Sequence, residues 1–296
     1  MSIAVLGVPT SAGAYGIGLE QAPEALRAAG LTDLLRARGL DVVDHGDLPV
    51  TPFRPDPHGR RAQNLKTVHA VADGVREKVA SLLADGHIPV VLGGDCTVTL
   101  GVVAAVAAAG DEVALAYLDG DVDMSTPATT TSGVLDAMVV AHLLDVEGCD
   151  PQLAGLAGRR PLLRGPDLLL IGFEDIAVDD GQRALLRDRG VHLKAAGDVR
   201  GQAGSAVRDG LARLAPANRL IVHFDVDVID STELPLAQFP HFNVGLALSE
   251  ATECLAVLLA APELAAVVVT EVNPINDPEH RYVPQLAAAI AATWPA

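Results

Sequence analysis

Val113-Ala-Leu-Ala-Tyr-Leu118 runs straight into Asp119-Gly-Asp-Val-Asp123, and then into Met124-Ser-Thr-Pro-Ala-Thr-Thr-Thr-Ser-Gly-Val-Leu-Asp136. Six consecutive apolar residues predict a strand buried on both faces, as in a parallel sheet, rather than one that alternates between core and water. Three aspartates follow at every second position. Residues two apart in an extended chain point to the same side, so the three carboxylates converge. Removing such charges from water is costly. Bound cations relieve that cost, and so do retained protons.

The same reading extends outward in both directions. Short apolar runs at 3–8, 42–45, 89–92, 113–118, 168–172, 191–194, 220–224 and 266–271 predict strands. Helical patterns lie between them at 22–29, 31–38, 62–84, 98–109, 133–144, 181–188, 205–214, 249–259 and 282–293. This alternation predicts βαβ units and a three-layer α/β/α fold around a mostly parallel sheet of about eight strands. The Pro-rich stretch 49–57 and the stretch 151–166 read as loops, too short and too closely flanked by core elements to divide the chain. A single domain over 1–296 is expected.

The 296 residues, 50% of them hydrophobic, are enough to bury a large core. A net charge of −17 argues against a nucleic-acid or anionic-membrane partner. Three cysteines, Cys96, Cys149 and Cys254, have no short spacing and predict no disulfide framework. The first residues read as a strand rather than a secretory signal, and no apolar run is long enough to span a bilayer. A cytoplasmic protein is expected.

Ligands of a parallel sheet sit beyond the carboxyl ends of its strands. There the chain carries Gly93-Gly-Asp-Cys-Thr97, the triple-aspartate run, Asp225-Val-Asp-Val-Ile-Asp230 and Glu271-Val-Asn-Pro274. Carboxylates crowded at one dry rim repel each other, and hard oxygen donors suit Mn²⁺ or Mg²⁺. Two metal ions bridged by carboxylates activate water for hydrolysis.

These motifs together resemble the arginase/agmatinase ureohydrolases over nearly the whole chain. Gly7-Val-Pro-Thr-Ser-Ala-Gly13, with the stretch from Gly18 to Leu31, is similar to the family's amino-terminal signature. Gly93–Thr97 resembles its Gly-Gly-Asp-His-Ser motif, and Asp119–Asp123 its Asp-Ala-His-x-Asp motif. Phe224–Asp230 and Glu271–Pro274 resemble its two last motifs, and Thr126–Gly133 is nearest to true arginases. The resemblance implies one Mn²⁺ on Asp119, Asp123, Asp225 and Cys96, and a second on Asp119, Asp121, Asp225 and Asp227. It implies Glu271 as the residue that holds a guanidinium and Asp136 at the catalytic position. Ser125, Ser132 and Asp175 match positions that bind the rest of the substrate, and Ala177 replaces a further aspartate. A homo-oligomer, trimer or hexamer, is implied by the resemblance alone.

The chain departs from the family at three histidines. Cys96, Asp121 and Asp136 stand where the family has imidazoles, while the four metal-binding aspartates and Glu271 are kept. The added negative charge at Asp121 should hold cations more tightly and make bound water less acidic. A Cys96 thiolate would favour Zn²⁺; a Cys96 thiol would leave its position weak, with one metal on Asp119, Asp121, Asp225 and Asp227. A cysteine in such a place is also commonly just a small buried residue. His223 reads as core or as support for ligands, His142 and His241 as solvated, and Cys149 and Cys254 as structural. Two functions follow. One is divergent amidinohydrolysis of an arginine-like or modified guanidine to urea and an amine. The other is a ureohydrolase fold without hydrolysis, binding a ligand or serving as a regulatory or structural subunit.

Overall fold

The computed structural model describes residues 2–110 and 112–295. Eight strands form one sheet: β1 (Ser2–Gly7), β2 (Asp41–Asp47), β3 (Ile88–Leu92), β4 (Val113–Leu118), β5 (Leu168–Ile171), β6 (His192–Lys194), β7 (Arg219–Asp225) and β8 (Leu264–Thr270). Every predicted strand is present to within two residues at each end. The spatial order is β2-β1-β3-β8-β7-β4-β5-β6 and every pairing is parallel, which sharpens the expectation of a mostly parallel sheet.

The strand residues alternate between two cores. Ala114, Ala116 and Leu118 of β4 face one, with Val222 and Phe224 of β7, under helices Leu31–Ala37, Leu248–Leu259 and Tyr282–Thr293. Val113, Leu115 and Tyr117 face the other, under helices Leu65–Ala84 and Val98–Ala108. Both faces are covered, which is why the strands read as unbroken apolar runs. Helix Val98–Ala108 is itself buried on nearly every side, so its sequence lacks a polar stripe.

The predicted helix at 133–144 is shorter than expected. The chain stays in turns up to a 3₁₀ turn at Asp136–Met138, and an α-helix runs only over Val139–Leu143. The loop 151–166 contains a one-turn helix at Pro151–Ala154, capped by the Asp150 carboxylate on the Gln152 and Leu153 N–H groups. No helix among the described residues is long and apolar enough to cross a membrane.

Topology positions the site. β3, β8, β7 and β4 are consecutive neighbours in the middle of the sheet, and they are the four strands whose carboxyl ends carry the acidic and cysteine motifs. The ladder extends past their ends: Gly93 N–H donates to Val269 O at 2.7 Å and Glu271 N–H to Gly94 O at 3.0 Å. Gly94 leaves no room for a side chain, since a Cβ there would lie 1.6 Å from Thr10 O. The loop after β1 thereby closes directly onto the rim.

Candidate metal centre

Cys96, Asp119, Asp121, Asp123, Asp136, Asp225, Asp227 and Glu271, the residues singled out at the strand ends, all line one cavity of about 220 Å³. Local turns hold the carboxylates. Asp121 N–H donates to Asp119 Oδ1 at 2.6 Å, Asp227 N–H to Asp225 Oδ1 at 2.8 Å, and Gly120 N–H to Asp227 Oδ1 at 2.9 Å. The Asp-x-Asp spacing thus yields aspartates whose side chains fasten the backbone two residues on. Tyr117, the penultimate residue of β4, donates its hydroxyl to Asp123 Oδ2 at 2.5 Å. Asp123 and Glu271 sit in the left-handed region, at φ 45° and 61°, conformations that non-glycine residues adopt at a cost and that cluster at functional sites.

Crowding alters the protonation of these groups. Burial, reinforced by Asp227 and Asp123, holds the Asp119 carboxyl well above its usual range. Burial and Asp227 do the same for Asp225, burial and Asp136 for Asp123 and Glu271, and burial and Asp95 for Asp136. Burial followed by the Asp225 charge raises the Cys96 thiol, whose Sγ–H donates to Asp225 Oδ2 at 2.7 Å. Without a cation, then, Cys96 is a thiol and several carboxyls keep protons.

His241 and His142 occupy places that sequence reading did not foresee, whereas His223 lies in the core beside a carboxylate as read. His241 is 7% exposed rather than solvated, carried to the rim by the connection after β7. Its Nε2 lies 3.4 Å from Asp121 Oδ2 and 3.6 Å from Asp227 Oδ2, and its Nδ1 3.6 Å from Glu174 Oε2. Burial opposes charge on this ring, but the Asp121 and Asp227 carboxylates outweigh it and push its pKa up to about 11. His223, on β7, is fully buried, with Nδ1 2.7 Å from Thr99 Oγ1 and Nε2 3.5 Å from Asp119 Oδ2. Burial alone pushes its pKa down to about 3, so its ring is neutral. His142 is also buried rather than solvated: Nδ1 meets Met138 O at 2.8 Å, and Nε2 accepts from Asp150 N–H at 3.2 Å. The unbroken apolar run around it was the available clue.

The donor set suits divalent cations. Ligand atoms of Cys96, Asp119, His223 and Asp225 lie within 4.8 Å of one another, as do those of Asp121, Asp227 and His241, and those of Cys96, Asp136 and Glu271. Asp123 falls in none of these groups and is tied to Tyr117. His241 Nε2 and Glu271 Oε1 are buried without a hydrogen-bond partner. Buried polar atoms are ordinarily paired, so the Glu271 oxygen leaves acceptor capacity for a cationic group, and the His241 nitrogen, charged by Asp121 and Asp227 in the cation-free site, would give up its proton to a metal ion.

The substrate positions divide. Ser125 lines the cavity. Ser132 does not; its carbonyl accepts from Gln63 Nε2 at 2.8 Å and its hydroxyl lies beside Thr130. Asp175 is turned outward into an ion pair with Arg183. Ala177, Val178 and Glu174 line the wall instead. At the mouth, Tyr15 and Phe239 are 48% and 50% exposed and stack with centroids 5.7 Å apart. Sequence reading passed over both, because an aromatic in a turn-rich loop has no periodicity to mark it. Cys149 is half-buried and Cys254 buried, and all three cysteines are free.

The comparisons with known proteins agree with this fold. The family model described as the Arginase family matches residues 1–294. Human arginase-1 is 30% identical over 277 residues, covering 92% of this chain and 85% of that protein. The crystal structure of arginase from Bacillus subtilis superposes with a TM-score of 0.88 at 24% identity, covering 100% of this chain and 99% of that one. A Trypanosoma cruzi formiminoglutamase crystallised with Mn²⁺ superposes with a TM-score of 0.74 at 21% identity, covering 98% and 91%.

Proposed function

This chain belongs to the arginase family, and on that premise we propose that it is a metal-dependent amidinohydrolase cleaving a guanidino compound to urea and an amine. The observation that carries the reading is the convergence of Asp119, Asp123, Asp225, Asp227 and Glu271 on one cavity rim from three neighbouring strands. Asp119, Asp121, Asp123, Asp225 and Asp227 would hold one or two divalent ions, Mn²⁺ by family resemblance, with Zn²⁺ favoured where the Cys96 sulfur takes part. A cation held there supplies Lewis-acid activation of water.

The chain's own residues do the rest. Glu271, with Oε1 unpartnered, accepts the hydrogens of a guanidinium as a charge-assisted pair. Asp136 takes Cys96 N–H on Oδ1 at 2.6 Å, which leaves Oδ2 to carry a proton. With its carboxyl raised by burial and Asp95, Asp136 holds that proton and delivers it to the departing amine. Ser125 on the wall positions the substrate.

The tail of the substrate differs from that of free arginine in this reading. Ser132 and Asp175 are not on the cavity wall, and the mouth offers the aromatic faces of Tyr15 and Phe239. A guanidine with an apolar or aromatic tail fits that mouth. We place the protein in the cytoplasm, as a homo-oligomer, from the unpaired cysteines and from family resemblance respectively.

The test is urea release from a panel of guanidino compounds by untagged protein loaded with Mn²⁺ or Zn²⁺. Release from at least one compound is expected. Metal binding without urea release from any of them would favour a ligand-binding or regulatory protein instead. No binding of Mn²⁺, Zn²⁺ or Co²⁺ would sink the metal-dependent reading outright.

A further inference from the structure

The carboxylate at position 121 stands where the family carries an imidazole, yet an imidazole lies 3.4 Å from it. His241 arrives on a different segment, the connection between β7 and helix Leu248–Leu259. Its backbone is pinned there: Ser231 N–H donates to His241 O at 2.7 Å, and His241 N–H to Ser231 Oγ at 3.1 Å. Phe239 packs edge-on against the ring, with centroids 6.0 Å apart and an interplanar angle of 68°.

The spacing around Nε2 is that of co-ligands. Its separations of 3.4 Å from Asp121 Oδ2 and 3.6 Å from Asp227 Oδ2 exceed an ordinary N–H···O bond. Two donors of one ion, each about 2.0–2.2 Å from it, stand roughly 3–3.5 Å apart, which the 3.4 Å separation meets and the 3.6 Å separation exceeds slightly. Nδ1 faces Glu174 Oε2 at 3.6 Å, and Glu174 is itself fixed by N–H donation to Gly120 O at 2.8 Å. A carboxylate behind one ring nitrogen favours the tautomer that leaves the other nitrogen's lone pair free for a metal.

Gly120 completes the arrangement. The family motif has alanine between its aspartate and histidine. Here a Cβ at position 120 would lie 2.9 Å from both Cδ2 and Nε2 of His241, and 3.0 Å from Asp227 O. The absent methyl group is the space the ring occupies. The bare backbone at 120, the carboxylate at 121 and the imidazole at 241 fit together as one arrangement.

We infer that His241 Nε2, together with Asp121 and Asp227, ligates a divalent cation, so that the imidazole comes from the connection after β7 rather than from position 121. The inference rests on the metal-dependent reading above, and its test separates the two. Untagged protein is stripped with chelator, dialysed, and titrated with Zn²⁺ and Co²⁺ by calorimetry, with Co²⁺ absorption recorded in parallel. Wild type is compared with His241→Ala and with Gly120→Ala, which keeps every ligand and crowds the ring most closely, with Asp227 O next. Each variant should lower affinity for the affected ion by at least about tenfold and change the Co²⁺ spectrum. Circular dichroism of the metal-free variants checks folding. If His241→Ala does not fold, Gly120→Ala decides. Wild-type stoichiometry, affinity and spectrum in the folded variants would overturn the inference and leave the proposed function standing. Absence of binding by wild type would overturn both.

Discussion

The rings of Tyr117 and His223 lie face to face, with centroids 3.9 Å apart and planes 5° from parallel. They are paired residues of adjacent strands β4 and β7, so the sheet register makes the stack. The same tyrosine reaches up to Asp123 and the same histidine to Asp119 and Thr99, which ties the core to the acidic rim. Tyr117→Phe keeps the stack and removes the donor to Asp123. An acceptor left buried and unpaired costs about 1–3 kcal/mol. Urea denaturation in the presence of chelator should show a loss of that size, and an unchanged midpoint would count against the bond as a stabilising contact.

Stability of the metal-free protein should fall as pH rises. Asp119, Asp123, Asp136, Asp225 and Glu271 have folded pKa values raised chiefly by burial. The folded state therefore holds more protons than the unfolded chain, and the slope of stability against pH is negative. Their contribution is full below the unfolded carboxylate range, near pH 4, and is lost upward through the raised values. His241, raised to about 11, acts with the same sign from its unfolded value upward. Thermal melts between pH 5 and 8 should show the decline, and added Mn²⁺ or Zn²⁺ should flatten it. A metal-free protein that gains stability toward pH 8 would contradict the assigned crowding.

Cation binding should release protons. The groups that hold protons in the metal-free site must lose them to become ligands, so apparent affinity rises with pH. Calorimetry in two buffers of different ionisation enthalpy measures the number released. A value near zero would mean that the ion binds elsewhere.

Glu271→Gln should leave metal content unchanged and reduce kcat/KM for a guanidino substrate by about 100-fold or more, as expected when one partner of a buried charge pair is removed. Asp136→Asn should act on kcat, by about 10²–10⁴-fold for a lost proton donor. Equal activity in either variant, measured as urea release, removes that residue from the proposed chemistry.

Phe239→Ala and Tyr15→Ala should each raise KM about tenfold for a guanidine with an apolar tail, equivalent to about 1.4 kcal/mol of lost contact. Guanidines with short polar tails should be little affected. A uniform effect across tails would argue for a structural role of the stacked pair.

The eight strands, their common rim and the acidic centre were all legible in the chain. Apolar runs report burial on both faces, and successive parallel strands joined by right-handed crossovers must end on the same edge. From Asp119, Asp121, Asp123, Asp225 and Asp227, alternate spacing at strand ends was enough to predict convergence, and the cavity contains all five. Residues on irregular connections were not legible. Ser132 and Asp175 matched family positions in sequence, yet the turn at Thr130 and the Arg183 ion pair hold them off the cavity wall. His241 lies on a stretch without periodicity, and nothing local to it records that Ser231 pins its backbone or that Gly120 clears its ring. Local patterning determines which segments pack and where their ends emerge. Which side chain of a long connection reaches the rim depends on contacts between distant positions, and only the tertiary structure decides that.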